Sequence, residues 1–439
     1  MTVQTFKGGI HPRYNKEKTA GVAIEPLTAP KEIIIPLSQH IGAPARACVE
    51  KGEVVKKGQV IGQAGGFVSS PVHASVSGKV TAVEPRPGVM GTDVLSVVID
   101  NDEQYDVLET RGVGEWQKAD PETLKNIVAE AGIVGMGGAT FPTHVKLSPP
   151  KDKPIQYVIL NGAECEPYLT ADHRIMVEHA SDVVEGLQIV LKILNAPNGI
   201  IGIEENKPEA ISAMKSACSG TDIQVVPLEI KYPQGGEKQL IDAVLKKEVP
   251  SGGLPMDVGV VVQNVGTAKA VFDAVTRGVP LLERVVTVTG SAVPRPGNFL
   301  VAIGTPVSVV LDHCGVDLST AGKLILGGPM MGFAQYSAEP PVTKGTSGIL
   351  VLNRTDVEVI PPQPCIRCGR CLGACPMRLV PADIAAFSEN RMYDKAEDND
   401  AMDCMECGSC AHECPSRIPL VQKIRLAKAE IMAARRKKG

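Results

Sequence analysis

The stretch that decides the fold is Cys365-Ile-Arg-Cys-Gly-Arg-Cys-Leu-Gly-Ala-Cys-Pro376, and a second copy follows as Cys404-Met-Glu-Cys-Gly-Ser-Cys-Ala-His-Glu-Cys-Pro415. Both copies read C-x2-C-x2-C-x3-C-P. The first three cysteines of such a run can wrap three corners of an iron–sulfur cube on one tight loop. Structural zinc is the alternative, but a zinc site usually pairs two C-x2-C units and needs only four ligands. The two runs therefore predict two [4Fe–4S] clusters.

The fourth cysteine of each run is expected to bind the cluster of the other run, as in two-cluster ferredoxins. The predicted ligand sets are Cys365, Cys368, Cys371 and Cys414 for one cluster, and Cys404, Cys407, Cys410 and Cys375 for the other. Between the runs, the segments beginning at Pro381 and Tyr393 have helical patterns, with Pro at a first turn. We therefore expect a helical cluster domain.

Length and composition set the wider frame. A chain of 439 residues is too long for one core, so three or four domains are expected. The net charge of −4 gives no reason to expect a nucleic-acid partner. No secretory signal opens the sequence, and no apolar run approaches the roughly 20 residues that span a bilayer. Three other cysteines, Cys48, Cys218 and Cys314, are predicted to be buried as small apolar side chains.

A glycine-rich loop, Gly132-Ile-Val-Gly-Met-Gly-Gly-Ala-Thr-Phe-Pro-Thr-His-Val-Lys146, is the second chemical signal. Closely spaced glycines can bring backbone N–H groups against a phosphate, although such loops are often only tight turns. Polar residues also follow apolar strand-like runs, in Asn161-Gly-Ala-Glu-Cys-Glu-Pro167, Gly235-Gly-Glu-Lys238 and Gln263-Asn-Val-Gly-Thr267. An open α/β sheet binds its ligand at such strand ends, which favours a nucleotide site.

These four segments resemble, in order, those of the flavin- and NADH-binding subunit of respiratory complex I. Together with the N-terminal barrel and the doubled cysteine run, the whole chain resembles the C subunit of Rnf-type ion-translocating electron transport complexes. The resemblance implies FMN and NAD(H) sites made from three groups of residues. It assigns the FMN phosphate region to Gly135, Gly137 and Gly138 with Lys146 nearby, the flavin to Asn161, Glu164, Asn264 and Thr267, and the nicotinamide nucleotide to Phe141, Glu166 and Glu237. The chain departs from the complex I pattern at Thr140, Ala163 and Lys238.

The expected fold class is multidomain α/β, divided into four parts. They are a lipoyl-like β barrel-sandwich domain (1–112), an α/β FMN- and NADH-binding domain (113–282), a small β-grasp-like domain (283–357) and a helical two-cluster ferredoxin domain with a basic C-terminal helix (358–439). The barrel lacks a Lys in its predicted tip, Gly66-Phe-Val-Ser-Ser70, which argues against a swinging arm. In the third part, the segments 284–290, 307–311 and 323–328 are expected to be strands and turns. The terminal segment 418–439 is expected to be an amphipathic helix.

The resemblance implies a peripheral electron-transfer subunit of a membrane-bound ferredoxin:NAD oxidoreductase, an enzyme complex. Its partners would be the other membrane subunits, NAD(H) and, through those subunits, ferredoxin, and its place the cytoplasmic face of the inner membrane. A soluble flavin and iron–sulfur reductase of the cobalamin reductase type is the alternative, although there the lipoyl-like domain is expected after the core. An electron-transfer or scaffold protein with a vestigial flavin site is a further alternative, which the presence of bound flavin would exclude.

Overall fold

Four packed units make up the computed structural model, which describes residues 3–357 and 360–438. The strands are β1 (Ile24–Pro26), β2 (Glu32–Pro36), β3 (Arg46–Ala47), β4 (Val54–Val55), β5 (Val60–Gln63), β6 (Val72–His73), β7 (Gly78–Pro87), β8 (Asp93–Asn101), β9 (Tyr157–Gly162), β10 (Asn198–Glu204), β11 (Gln224–Leu228), β12 (Val260–Asn264), β13 (Glu283–Thr289), β14 (Gly297–Ala302), β15 (Ala321–Leu326), β16 (Phe333–Gln335) and β17 (Gly348–Asn353). The helices are α1 (Pro121–Glu130), α2 (Thr143–Lys146), α3 (Ala171–Glu178), α4 (Ala180–Leu194), α5 (Pro208–Ala217), α6 (Glu237–Leu245), α7 (Val265–Phe272), α8 (Val307–His313), α9 (Arg370–Ala374), α10 (Pro381–Glu389), α11 (Tyr393–Asp398), α12 (Ser409–His412) and α13 (Leu420–Lys438).

The N-terminal unit is a sandwich of two small antiparallel sheets, ordered β2-β8-β7-β4 and β3-β5-β6. Its core follows the two-residue period of a half-buried strand. Ile33 pairs with Ile99 and Ile35 with Val97 across β2 and β8, and all four side chains are buried in one cluster. The predicted barrel-sandwich is therefore confirmed.

The prediction for Cys48 is wrong, because this residue is exposed directly after the outer strand β3. Cys218 and Cys314 are buried as expected. The whole edge from Arg46 to Cys48 is exposed, and only the next residue, Val49, is buried in the core.

The second unit is built on a parallel sheet ordered β11-β10-β9-β12, with helices on both faces. Adjacent side chains of β9 pack on opposite faces of the sheet. Val158 and Leu160 lie in one hydrophobic cluster and Ile159 lies in another. A sheet covered on both sides needs such a continuous apolar strand. The pairing of β12 with β9 places Asn264 directly opposite Asn161, so the two predicted site segments meet at one edge.

Asp120 caps the N-terminus of α1. The Asp120 carboxylate accepts hydrogen bonds from the backbone N–H groups of Glu122 and Thr123, and Pro121 occupies the first helical position. Both features stabilise the N-terminus of α1.

The third unit is a mixed sheet ordered β1-β14-β13-β17-β15-β16. The strand expected at 307–311 is wrong, because these residues form α8. Val307, Val310 and Leu311 are buried at helical spacing, on one face of a helix that follows Pro306. β-branched residues carry only a weak preference against helix, and packing of this face overrides it.

The fourth unit is helical, and its predicted helices are confirmed as α10 and α11. The expected terminal helix is α13, while its last predicted residue, Gly439, lies outside the described residues. The Ser388 hydroxyl donates to the backbone oxygen of Lys423 and ties α10 to α13. The multidomain α/β fold class is thus confirmed, whereas the four-part division at residues 112, 282 and 357 stays a prediction.

Within residues 3–357 and 360–438, no helix combines the length and the apolar character needed to cross a bilayer.

Candidate functional site

Two asparagines organise the edge of the parallel sheet where β9 and β12 end. The Asn264 side chain accepts hydrogen bonds from the N–H groups of Gly266 and Thr267, which caps α7. Asn161 donates to the Gly235 oxygen at 2.8 Å and accepts from Ala163 N–H at 3.1 Å. Three of the four predicted segments are thereby joined at one strand edge.

The glycine-rich loop lies over this edge. Thr267 Oγ1 accepts a hydrogen bond from the Met136 N–H at 2.9 Å, and a Cβ added to Gly137 would lie 3.4 Å from Asn264 Cβ. Gly135 N–H donates to the Phe141 oxygen at 2.8 Å, which closes the loop on itself. The predicted residues Gly135, Gly137, Phe141, Asn264 and Thr267 are therefore neighbours.

Lys146 and Glu237 also meet, although they lie 91 positions apart. The Lys146 ammonium contacts the Glu237 carboxylate at 2.8 Å and donates to the Val262 oxygen at 3.2 Å. Glu237 is the first residue of α6, where the helix dipole favours an acidic side chain. A residue assigned to the phosphate region and one assigned to the nucleotide thus contact each other directly.

A buried group of charges lies beneath the loop. The Glu164 carboxylate accepts from the N–H groups of Asp172 and His173 at the start of α3, and Asn264 donates to Asp172 at 2.7 Å. Burial, with a contribution from the Glu164 carboxylate, raises the pKa of Asp172. Arg284 donates to the Met136 oxygen at 2.7 Å and so holds the glycine-rich loop from below.

Glu166 faces the third unit. Its carboxylate accepts hydrogen bonds from Met330 N–H at 3.1 Å and Met331 N–H at 2.8 Å. Burial raises the pKa of Glu166 to about 7. A Cβ added to Gly328 would lie 2.2 Å from Glu166 Oε2, so only glycine permits this approach. Of the residues assigned to the nicotinamide nucleotide, Glu166 therefore sits at a contact between units.

The residues present fit a flavin nucleotide. Gly137 and Gly138 are exposed, and a Cβ added to Gly138, whose φ is +125°, would meet no atom within 4 Å. The loop thus presents backbone to open space, as close approach of a phosphate requires. Next to Gly235, whose oxygen accepts from Asn161, the fully buried Gln234 amide has neither polar atom paired within the described residues. Such an unpaired buried amide normally has a partner, which a bound ligand can provide.

Cysteines of the two runs lie close together. Burial raises the pKa of Cys404 to about 11, and negative charge on Cys407 and Cys375 contributes. Burial raises the pKa of Cys410 to about 12, with contributions from Cys404, Cys407 and Cys375. Cys375 and Cys404 also pack in one hydrophobic cluster, so Cys375 lies beside the other run.

Cys371 and Cys414 pack together in a separate small group of apolar side chains, which also contains Cys410. The two runs repeat one local geometry. Arg367 N–H contacts Cys365 Sγ and Glu406 N–H contacts Cys404 Sγ, both at 3.4 Å. Among the described residues, no three potential ligands converge on a single-ion position. Two runs of four cysteines suit two [4Fe–4S] clusters, since each cluster takes four thiolate ligands.

A short buried bridge joins the strand edge to the second run. The Tyr232 hydroxyl donates to the Cys407 oxygen at 2.7 Å, and Gly235 N–H contacts Cys165 Sγ at 3.3 Å. Cys165, Tyr232 and Cys407 lie in one hydrophobic cluster. The loop 232–235 thus contacts Asn161 at one end and a cluster cysteine at the other.

Several residues that support the site were not predicted from the sequence. Lys16 is almost fully buried, and its ammonium donates to the backbone oxygens of Glu164 and Glu166. Arg284 and Tyr232 also lie outside the recognised motifs. Arg284 could have been recognised from the sequence as a charged residue within an apolar strand. No neighbouring sequence feature distinguishes Lys16.

Family models match four successive parts of the chain. They are an RnfC barrel sandwich hybrid domain (residues 4–104), a Nuo51 FMN-binding domain (128–273), an SLBB domain (285–334) and a 4Fe-4S dicluster domain (358–415).

Curated relatives match almost the full length. The chain is 52% identical over 436 residues to the C subunit of the Na(+)-translocating ferredoxin:NAD(+) oxidoreductase complex of Acetobacterium woodii, covering 99% of this chain and 98% of the relative. It is 50% identical to the C subunit of the proton-translocating ferredoxin:NAD(+) oxidoreductase complex of Clostridium ljungdahlii, covering 98% and 95%. The C subunit of an ion-translocating oxidoreductase complex of Klebsiella pneumoniae is 44% identical, covering 99% of this chain and 58% of the relative.

Among solved structures, an NAD+-reducing [NiFe]-hydrogenase in the H2-reduced state has a similar fold. The TM-score is 0.50 at 16% identity, covering 77% of this chain and 72% of that chain.

Proposed function

Because the chain belongs to the family of C subunits of ion-translocating ferredoxin:NAD(+) oxidoreductase complexes, we propose that it exchanges electrons between NAD(H) and its partner subunits. It is the peripheral subunit of that complex, an oxidoreductase with an FMN-binding domain and a 4Fe-4S dicluster domain. Bound FMN supplies the conversion between the two-electron chemistry of NAD(H) and the one-electron chemistry of iron–sulfur clusters. The alternative of a soluble cobalamin-type reductase has no support among these relatives.

One observation carries this proposal: the loop 232–235 connects the flavin motifs to the second cysteine run. Its Gly235 oxygen accepts a hydrogen bond from Asn161, and its Tyr232 hydroxyl donates to the Cys407 oxygen. Tyr232 and Cys165 are buried at this junction and exclude water from it. Electron transfer needs such short, rigid separations rather than acid–base groups, and none of the residues assigned here acts as a catalytic acid or base.

The residues have separate roles in the proposal. Gly135, Gly137 and Gly138 present backbone to the FMN phosphate, with the Lys146 ammonium nearby. Asn161, Glu164, Asn264 and Thr267 fix the strand edge that receives the flavin. Phe141, Glu166 and Glu237 line the side taken by NAD(H). The crossed sets of four cysteines hold the two clusters.

The glycine loop gives the direct test. Gly137→Glu should place a carboxylate beside Asn264 in the open space of the loop and repel the phosphate. We expect wild type to release FMN on denaturation, and the variant to release little and to show no flavin bleaching by NADH. Gly66→Glu is the matched control, because Gly66 is also exposed with open space around it. Equal flavin content in the two variants would refute the assignment.

We also propose a location on the cytoplasmic face of the inner membrane, held by partner subunits that pass electrons to or from ferredoxin. Support comes from the membership in a multi-subunit complex. High salt or a mild chaotrope should release the protein from membranes. If only detergent releases it, partner contacts alone do not hold it there.

A further inference from the structure

A buried glutamine beside the second cysteine run is not among the residues assigned so far. Gln239 is 4% exposed and lies in the first turn of α6, two positions after Glu237. Its Nε2 donates to Met377 Sδ at 3.2 Å, and within residues 3–357 and 360–438 its Oε1 has no hydrogen-bond partner. A thioether is a weak acceptor, so this amide lacks a strong partner at either end. A buried amide in that state normally has a further partner.

One end of the Gln239 amide faces the segment that follows the first cysteine run. Its partner Met377 lies two positions after Cys375. Met377 and Cys375 pack in the same hydrophobic group as Cys404. Cys375 and Cys404 are the expected ligands of the second cluster that come from different runs. The amide nitrogen therefore lies next to the place where the two runs meet.

The other end of the amide faces the second run. A Cβ added to Gly236 would lie 2.4 Å from Gln239 Oε1 and 2.8 Å from Cε of Met405, which directly follows Cys404. The amide oxygen and Met405 thus lie against the same glycine. Gly236 is also the N-cap residue of α6, and no side chain caps this helix. The positive end of the helix dipole therefore lies at the same place.

We propose that the Gln239 amide donates a hydrogen bond to a sulfur of the second [4Fe–4S] cluster and thereby raises the reduction potential of that cluster. This rests on the crossed ligand sets of the proposed function, in which Cys375 and Cys404 hold one cluster. Negatively charged sulfurs are stronger acceptors than the thioether of Met377. Rotation of the terminal amide exchanges its oxygen and its nitrogen, so either end of the group can present the N–H.

The hydrogen bond favours the reduced cluster. Reduction adds one electron and therefore one negative charge, which a donated N–H stabilises more than it stabilises the oxidised cluster. The N-terminus of α6 acts in the same direction. Both effects make the second cluster a better acceptor for an electron that leaves the flavin. Gln239 thus tunes electron transfer without taking part in acid–base chemistry.

A redox titration of the anaerobic holo-protein, followed by EPR, tests the proposal. The signal that is lost in Cys404→Ala identifies the second cluster, whether or not the ligand sets cross. Gln239→Met has a side chain of similar length but no N–H. It should lower the equilibrium constant for reduction of the second cluster by about tenfold, which is about 59 mV for a one-electron couple. Pulsed EPR should show a nitrogen coupling on the same signal that disappears in this variant.

The first cluster is the internal control, because its expected ligands Cys365 and Cys368 are exposed whereas Gln239 is buried. Its potential should not move in Gln239→Met. Gln224→Met is the matched substitution, since Gln224 is exposed at the first position of β11, and both potentials should stay as in wild type.

Three results would overturn the proposal. The second-cluster potential and the nitrogen coupling could be unchanged in Gln239→Met, or both clusters could shift equally. Iron content could also show that the second cluster no longer assembles, in which case Gln239 supports the loop rather than tuning the cluster. Release of FMN on denaturation and flavin bleaching by NADH report separately on the proposed function, and Cys375→Ala reports on the crossed ligand sets.

Discussion

Lys344 carries a buried amine at the meeting point of three units. It donates to the Pro71 oxygen of the barrel and to the Gly132 oxygen at the start of the glycine-rich loop, both at 2.7 Å. Its own N–H donates to the Gln39 side chain. One side chain thus fixes where the glycine-rich loop begins relative to the barrel and the third unit.

The buried amine predicts a specific pH dependence. Burial lowers the pKa of Lys344 to about 7, while an unfolded lysine titrates near about 10.4. Between these values the unfolded chain binds one more proton, so stability rises with pH, and below about pH 7 the penalty is constant. From pH 7 to pH 9, the free energy of unfolding of wild type should rise by about 2 kcal/mol relative to Lys344→Met.

Urea unfolding at the two pH values measures this difference. Lys79→Met, at an exposed lysine of the barrel, is the control and should follow wild type. If Lys344→Met follows wild type as well, the amine does not titrate as its burial implies.

At the residue level, the sequence predicts motif residues well and their supports poorly. Asn264 and Thr267 follow an apolar strand, so their place at a sheet edge can be inferred. Lys344 and Lys16 act through backbone oxygens brought together only by tertiary packing. No local pattern marks a lysine whose partners lie 148 positions or more away.

At the scale of elements, the same β-branched pattern gave one correct and one wrong prediction of a strand. Residues 284–289 form a strand as expected, but 307–311 form α8. In α8 the buried positions Val307, Val310 and Leu311 have a spacing that fits a helix face, which the apolar run alone conceals. The length of a segment and its register within the sheet, rather than its residue types, decide whether it forms a strand or a helix.

The crossed cysteines provide the prediction at this scale. Cys375→Ala should disturb the cluster of the second run, because Cys375 packs in one hydrophobic group with Cys404 and the fourth cysteine of each run is expected to bind the other cluster. Its EPR spectrum should match that of Cys404→Ala, whereas Cys414→Ala should match Cys365→Ala. Iron content checks that a single cluster is affected in each variant. If Cys375→Ala instead resembles Cys365→Ala, each run binds its own cluster.

At the scale of the whole molecule, the N-terminal residues connect units that are distant in sequence. Gly9 N–H donates to the Ala374 oxygen, and a Cβ added to Gly8, whose φ is +83°, would lie 2.7 Å from the Cys375 oxygen. Further along, β1 adds a strand beside β14 of the third unit. Sequence patterns show the four units but not these connections, because backbone pairing of a short segment leaves no periodic signal.

The candidate redox sites follow one another from the inside of the molecule to its surface. The flavin motifs lie at the sheet edge, the second cysteine run is buried against them, and the first run lies at the surface. The arrangement suits a chain that accepts electrons at one end and delivers them at the other.

The most direct test counts electrons. Holo-protein is fully reduced with dithionite, freed of excess reductant and mixed with a large excess of NAD+ without oxygen. One FMN and two clusters store about four electrons, so we predict about two NADH per chain, with loss of both cluster EPR signals. Gly137→Glu should keep its cluster signals and form almost no NADH. If wild type forms no NADH, or forms it while both clusters stay reduced, this chain does not link NAD(H) to its clusters.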